Sequence, residues 1–213
     1  MAEITFLMDE AGLTAPTFLF AHGAGATMEA PFMEFIATGL AQRGVRVARF
    51  EFTYMAERRR GGPKRPPPKV ELLQAEFREA VDAVSGDCPL VIGGKSMGGR
   101  VASLIADDLR TKGEISGLLC LGYPFHPQGK PERLRTAHLE KLQTPTLICQ
   151  GTRDPFGTSL EVASYKISEQ IELAWVEDGD HDLKPRKRVT GLSHEEQLER
   201  VCDVAAAWIR SQS

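Results

Sequence analysis

Leu90-Val91-Ile92-Gly93-Gly94-Lys95-Ser96-Met97-Gly98-Gly99-Arg100 is the stretch that decides the reading of this chain. Leu90–Gly93 is a short apolar run suited to a buried strand, and Arg100–Leu109 after it is amphipathic at helical spacing. Between them Gly94-Lys95-Ser96-Met97-Gly98 matches G-x-S-x-G. In a strand–turn–helix setting that pattern puts the serine on a tight, strained turn. The flanking glycines let neighbouring backbone pass close by, and the hydroxyl is lifted out of the sheet beside a helix N-terminus.

Outward from this turn, apolar runs alternate with helical patterns. Strands are expected at Thr17–Ala21, Val45–Phe50, Pro89–Gly93, Ile115–Leu121, Thr146–Gln150 and Ile171–Val176, with Ile4–Met8 as an edge strand. A first helix carries Phe32, Phe35, Ile36 and Leu40 between Pro31 and Gly44. A second carries Val70, Leu73, Phe77, Val81 and Val84, and a third starts after Ser96 and buries Val101, Leu104, Ile105 and Leu109. The last carries Leu198, Val201, Ala205, Trp208 and Ile209, opened by the capping-box spacing Ser193-His194-Glu195-Glu196. Such alternation implies an α/β fold, a mostly parallel sheet of about six to seven strands with helices on both faces. Residues 1–213 read as one domain, with a long exposed loop over Arg58–Lys69. Only Tyr123–Pro145 separates the strand after the serine from the next one. That leaves room for one short helix around Pro131–Leu142 and no cap domain.

A serine hydroxyl is a poor nucleophile until a base takes its proton, and the base is a histidine held by a carboxylate. The expected chain order is Ser, then Asp or Glu, then His. Asp154 follows an apolar strand in Gln150-Gly151-Thr152-Arg153-Asp154-Pro155, and His181 follows the next in Glu177-Asp178-Gly179-Asp180-His181-Asp182. Parallel strands deliver both loops to the edge where Ser96 emerges. Asp178, Asp180 and Asp182 compete with Asp154 for the acid role, but orienting carboxylates usually approach from another loop.

Acyl transfer builds negative charge on a carbonyl oxygen, and preset N–H groups stabilise it. Met97 is expected to supply one donor and Ala24, in His22-Gly23-Ala24-Gly25-Ala26, the other. His22, Gly23, Gly25, Tyr123 and His126 are expected to line the substrate pocket.

Composition excludes other classes. The 213 residues are 42% hydrophobic and 26% charged with net charge −3, unlike the basic surface of a dedicated nucleic-acid binder. No apolar run reaches the roughly 18 residues of a membrane span. Cys88, Cys120, Cys149 and Cys202 are far apart, so no metal or other cofactor is called for. The start of the chain lacks a basic secretory signal, and a cytoplasmic location is expected.

With these residues in place the chain resembles the α/β-hydrolase superfamily. More narrowly it is similar to predicted hydrolases related to a testis-expressed protein and to a subunit of a chromatin acetyltransferase complex. The matching stretches are Ala21–Ala26, Gly93–Arg100, Gly122-Tyr123-Pro124-Phe125-His126-Pro127 and Gln150–Gly157. The resemblance implies the fold and a Ser96–Asp154–His181 triad and no particular substrate. The expected activity is cleavage of a carboxylic ester or thioester through an acyl-enzyme. The alternative is a non-catalytic binding or scaffold module on the same fold.

Arg58, Arg59, Arg60, Lys64, Arg65 and Lys69 in one loop, with Lys184, Arg186, Lys187 and Arg188 in another, form a basic rim at the expected catalytic edge. They would steer an anionic ester to the site, or they are solvated loop charges without such a role.

Overall fold

The computed structural model describes residues 4–212 apart from Leu13, Ser85 and Asp87. Seven strands form one sheet: β1 (Phe6–Asp9), β2 (Thr17–Ala21), β3 (Arg46–Phe50), β4 (Leu90–Lys95), β5 (Gly117–Leu121), β6 (Thr146–Gly151) and β7 (Ile171–Val176). Their order is β1-β3-β2-β4-β5-β6-β7. Every neighbouring pair is parallel except β1 with β3. Strands β2, β4, β5 and β6 are buried along their whole length, as expected for continuous apolar strands covered on both faces.

The longer helices α1 (Pro31–Ala41), α3 (Val70–Val84) and α8 (His194–Ser211) agree with the sequence reading, and Ser193 with Glu196 closes the expected capping box. Phe77 of α3 and Val101 pack on one face of the sheet, while Ile36 and Leu40 of α1 and Val201 and Ile209 of α8 pack on the other. Short helices α6 (Ser159–Val162) and α7 (Lys187–Thr190) lie in the loops after β6 and β7.

Three expectations are corrected. The helix after Ser96 is broken into α4 (Met97–Ser103) and α5 (Ala106–Thr111). At the break Leu104 N–H and Ile105 N–H bond three residues back, to Val101 and Ala102, which tightens the turn and leaves Leu104 half-buried. The supposed loop from Arg58 begins inside another helix, α2 (Thr53–Arg59), and it is not exposed throughout, because Pro67 and Pro68 are half-buried. Around Pro131–Leu142 only Leu139–Lys141 is helical, one 3₁₀ turn. No cap domain stands over the sheet among the described residues.

Candidate active site

The parallel strands deliver their C-terminal ends to one edge, the usual place for ligands in open α/β sheets. Ala21 pairs with Gly94, and Gln150 with Trp175, so the ends of β2, β4, β6 and β7 lie close together.

Ser96 leaves β4 with φ 51° and ψ −112°, a left-handed backbone position that is strained for a side chain with a Cβ. The flanking glycines make this turn possible. A Cβ on either Gly94 or Gly98 would sit 2.5 Å from the carbonyl oxygen of Ala21, so β2 can press against the turn only while both stay bare. Met97 is the first residue of α4, and its N–H has no acceptor within the helix.

Three side chains from three loops join in one hydrogen-bonded chain. Ser96 Oγ is 2.8 Å from His181 Nε2, and His181 Nδ1 is 2.8 Å from Asp154 Oδ2. The chain is satisfied when Ser96 donates to Nε2 and the Nδ1 hydrogen goes to the carboxylate. Asp154 is fully buried. It also accepts from Gln150 Nε2 at 3.0 Å and from Phe156 N–H at 2.8 Å. The Phe156 ring lies 4.3 Å from the His181 ring.

The three aspartates of the His181 loop turn away from its ring. Asp178 accepts from Arg186 N–H at 2.7 Å and from its guanidinium at 2.9 Å, and this partner lowers the Asp178 carboxyl to about 2. Asp180 accepts from the N–H groups of Asp182 and Lys184. Asp182 faces Lys95 at 3.3 Å.

Several functional positions were missed. Lys95 Nζ donates to the His181 carbonyl at 2.5 Å and lies 5.4 Å from the Phe32 ring centre, tying the serine turn directly to the histidine loop. Gln150 ties the loop of Asp154 to Tyr123 N–H, which donates to its Oε1 at 2.7 Å. Tyr54 hydroxyl donates to the Ala24 carbonyl at 2.9 Å and so fixes the loop after β2. A polar side chain at the end of an apolar strand, as at Lys95 and Gln150, was the available signal.

A cleft of about 350 Å³ opens at Ser96. Ala24, Met97, Pro124 and Phe156 form part of its wall, with Pro67, Pro68, Val70, Leu73 and Val101, and Arg100 and Arg135 bring charge to it. Of the expected pocket residues, none is in that wall. His22 is fully buried, accepts from Phe52 N–H at Nε2 and so donates from Nδ1 to the Gly23 carbonyl at 2.7 Å. Burial pushes its pKa down, and this neutral ring braces the loop from behind. Gly23 is buried near Lys95 and Ser96, whereas Gly25 faces open space. Tyr123 points inward, its hydroxyl donating to the Arg135 carbonyl at 3.2 Å. His126 is buried with Nδ1 2.9 Å from the Pro127 carbonyl. Chain proximity to the sheet edge suggested these residues, but the side chains of His22, Tyr123 and His126 point into the protein.

The basic rim is partly neutralised. Arg59 pairs with Glu51 at 2.8 Å, Arg65 with Glu57 at 3.7 Å, and Arg186 with Asp178. Among the described residues no cluster of three or more His, Cys, Asp or Glu is arranged to hold a metal ion, and no helix is long and apolar enough to cross a membrane.

The family model described as "Alpha/beta hydrolase domain" matches residues 14–210. The chain belongs to the α/β-hydrolase domain family. Solved structures share the fold. An α/β serine hydrolase homologue from Coxiella burnetii is 18% identical, with 96% of each chain covered and a TM-score of 0.67. The esterase domain of a Rhodothermus marinus protein is 17% identical, with 99% of each chain covered and a TM-score of 0.67. A monoacylglycerol lipase from Paleococcus ferrophilus is 13% identical, with 100% of each chain covered and a TM-score of 0.68.

Proposed function

We propose that this α/β-hydrolase is a serine hydrolase that cleaves a carboxylic ester or thioester through an acyl-enzyme. One observation carries the reading: strained Ser96 reaches His181 at 2.8 Å, and His181 reaches buried Asp154 at 2.8 Å. Similar folds bearing the names esterase domain and monoacylglycerol lipase support ester chemistry as the first class to test.

Ser96 Oγ attacks the substrate carbonyl carbon while His181 Nε2 takes its proton. Asp154 orients the imidazole and balances the imidazolium that forms. The carbonyl oxygen becomes an oxyanion held by the N–H groups of Met97 and Ala24. Collapse breaks the bond to the alcohol or thiol, which leaves with the proton from His181. Water then attacks the acyl-serine, giving its proton to His181, and a second collapse releases the acid and restores Ser96. The buried free cysteines Cys120, Cys149 and Cys202 suit a reducing compartment, and the cytoplasm is the proposed location.

Reaction with a fluorophosphonate probe tests the assignment. The native protein should label at Ser96, and Ser96→Ala should neither label nor hydrolyse 4-nitrophenyl acetate, a loss on the order of 10⁶ in kcat. A Ser96→Ala protein that keeps most of its activity would remove Ser96 from the chemistry. A native protein that does not label would favour a non-catalytic module.

A further inference from the structure

Arg100 sits one turn into α4, its N–H bonded to the Ser96 carbonyl at 3.0 Å. Arg135 lies in the segment after β5, its N–H bonded to the Phe125 carbonyl at 2.7 Å. Both are half-buried and both line the cleft that holds Ser96. Among the described residues neither guanidinium forms an ion pair. Arg100 Nε is buried with no hydrogen-bond acceptor. Of the arginines elsewhere in the loops around the site, Arg59, Arg65, Arg153 and Arg186 have carboxylate partners, Arg60, Arg133 and Arg188 are exposed, and Arg58, half-buried and without an ion pair among the described residues, is not in the cleft wall.

Among the described residues no carboxylate oxygen lies within 4 Å of either guanidinium. His138, beside Arg100, is pushed down to about 4 by burial and then by Arg100 itself, so it is neutral at pH 7. Burial raises the Tyr123 hydroxyl, which stays protonated. Asp107 is occupied by the N–H groups of Gln143 and Thr144 and by the Thr144 hydroxyl. Burial first, and then Arg100, lowers the Arg135 pKa. Two half-buried cations without a counter-charge are costly, and an anion placed between them would remove that cost. A guanidinium presents a planar fork that a carboxylate accepts with two parallel bonds.

We propose that Arg100 and Arg135 form a subsite for a carboxylate on the substrate, beside Ser96 in an otherwise apolar cleft. The proposal rests on Ser96 being the nucleophile only for its consequence in turnover, because binding alone can test it. The substrate class is then a small ester with an aliphatic or aromatic body, which Leu73, Val101 and Phe156 accept, and a free carboxylate at one end.

Calorimetric titration of Ser96→Ala compares 4-acetoxybenzoate with the neutral 4-acetoxybenzamide and with 4-acetoxyphenyl phosphate. The carboxylate should bind at least about tenfold tighter than the amide, the size expected of a charge-assisted pair. Adding Arg100→Gln and Arg135→Gln should bring those two affinities together. If that combined variant does not fold, Arg135→Gln alone on the Ser96→Ala background should reduce the preference. Equal affinities for acid and amide, or a preference that survives loss of the arginines, would overturn the subsite. Tight binding of the phosphate alone would overturn the carboxylate assignment. Failure of the native protein to label with fluorophosphonate would sink the serine reading and leave the binding result standing.

Discussion

Asp154 and Asp178 are both buried carboxylates at the same edge of the sheet, and their partners separate their roles. Asp154 bonds to the ring of His181, whereas Asp178 bonds to the backbone and guanidinium of Arg186. Asp154→Asn should therefore lower kcat by about 10⁴, the loss expected when a triad acid no longer fixes the histidine tautomer. Asp178→Asn should act on stability instead. The Arg186 bond holds the folded Asp178 pKa at about 2, below its ordinary 3.8. A depressed carboxyl stabilises the fold above its unfolded pKa and loses that contribution as pH falls through the folded value. Urea midpoints for wild type and Asp178→Asn should differ at pH 7 and converge between about pH 4 and pH 2, the span of those two pKa values. Parallel pH profiles would show that Asp178 contributes nothing by this route.

At the scale of elements, the site depends on how firmly the end of β4 is joined to the loop after β7. Lys95 makes that join, with Nζ on the His181 carbonyl and Asp182 opposite. Lys95→Met keeps the unbranched apolar stem of the side chain and removes the bond, so the protein should fold while His181 loses its exact seat. A misplacement of about 1 Å can cost roughly 10² in rate, and the loss should fall on kcat rather than KM. Lys95→Arg should restore part of it, and an unchanged kcat in Lys95→Met would make the contact incidental. The strands and the order Ser96, Asp154, His181 were legible because apolar runs and the glycine-flanked serine are local signals. Helix α2 was not, because Phe52 at its N-cap offers no capping side chain and the arginine- and proline-rich run after it reads as loop. The break between α4 and α5 lies in an apolar run whose pattern continues unbroken through Leu104 and Ile105. His22, Tyr123 and His126 were misassigned to the pocket because proximity to the sheet edge says nothing of which way a side chain points. Arg100 and Arg135 were unremarkable as residues, since their unpaired state depends on what the rest of the chain brings near them.

Across the whole molecule, two apolar layers lie on opposite faces of one sheet. Phe77 is buried in the first, against Phe50 and Phe52, and Leu40 is buried in the second. The layers share no helix, but β2, β4, β5 and β6 give side chains to both, since successive residues of a strand point to opposite faces. Leu19 and Ile92 lie in the first layer and Phe18, Phe20 and Val91 in the second. Melting one layer would leave the central strands bare on that side, so neither layer should unfold alone. Phe77→Ala should cost about 3–5 kcal/mol and Leu40→Ala about 2–5 kcal/mol, from lost burial and the cavity left behind. In a chain of this size each kcal/mol moves Tm by roughly 2–4 °C. Each variant should shift one transition, with far-ultraviolet ellipticity and tryptophan fluorescence moving together, as they do when unfolding has two states. The paired probes matter because Trp208 belongs to the second layer, and in a Trp175→Phe background the fluorescence reports on that layer directly. If Phe77→Ala lowered the ellipticity transition and left the fluorescence transition in place, the two faces would be separate folding units and the chain would not behave as one domain.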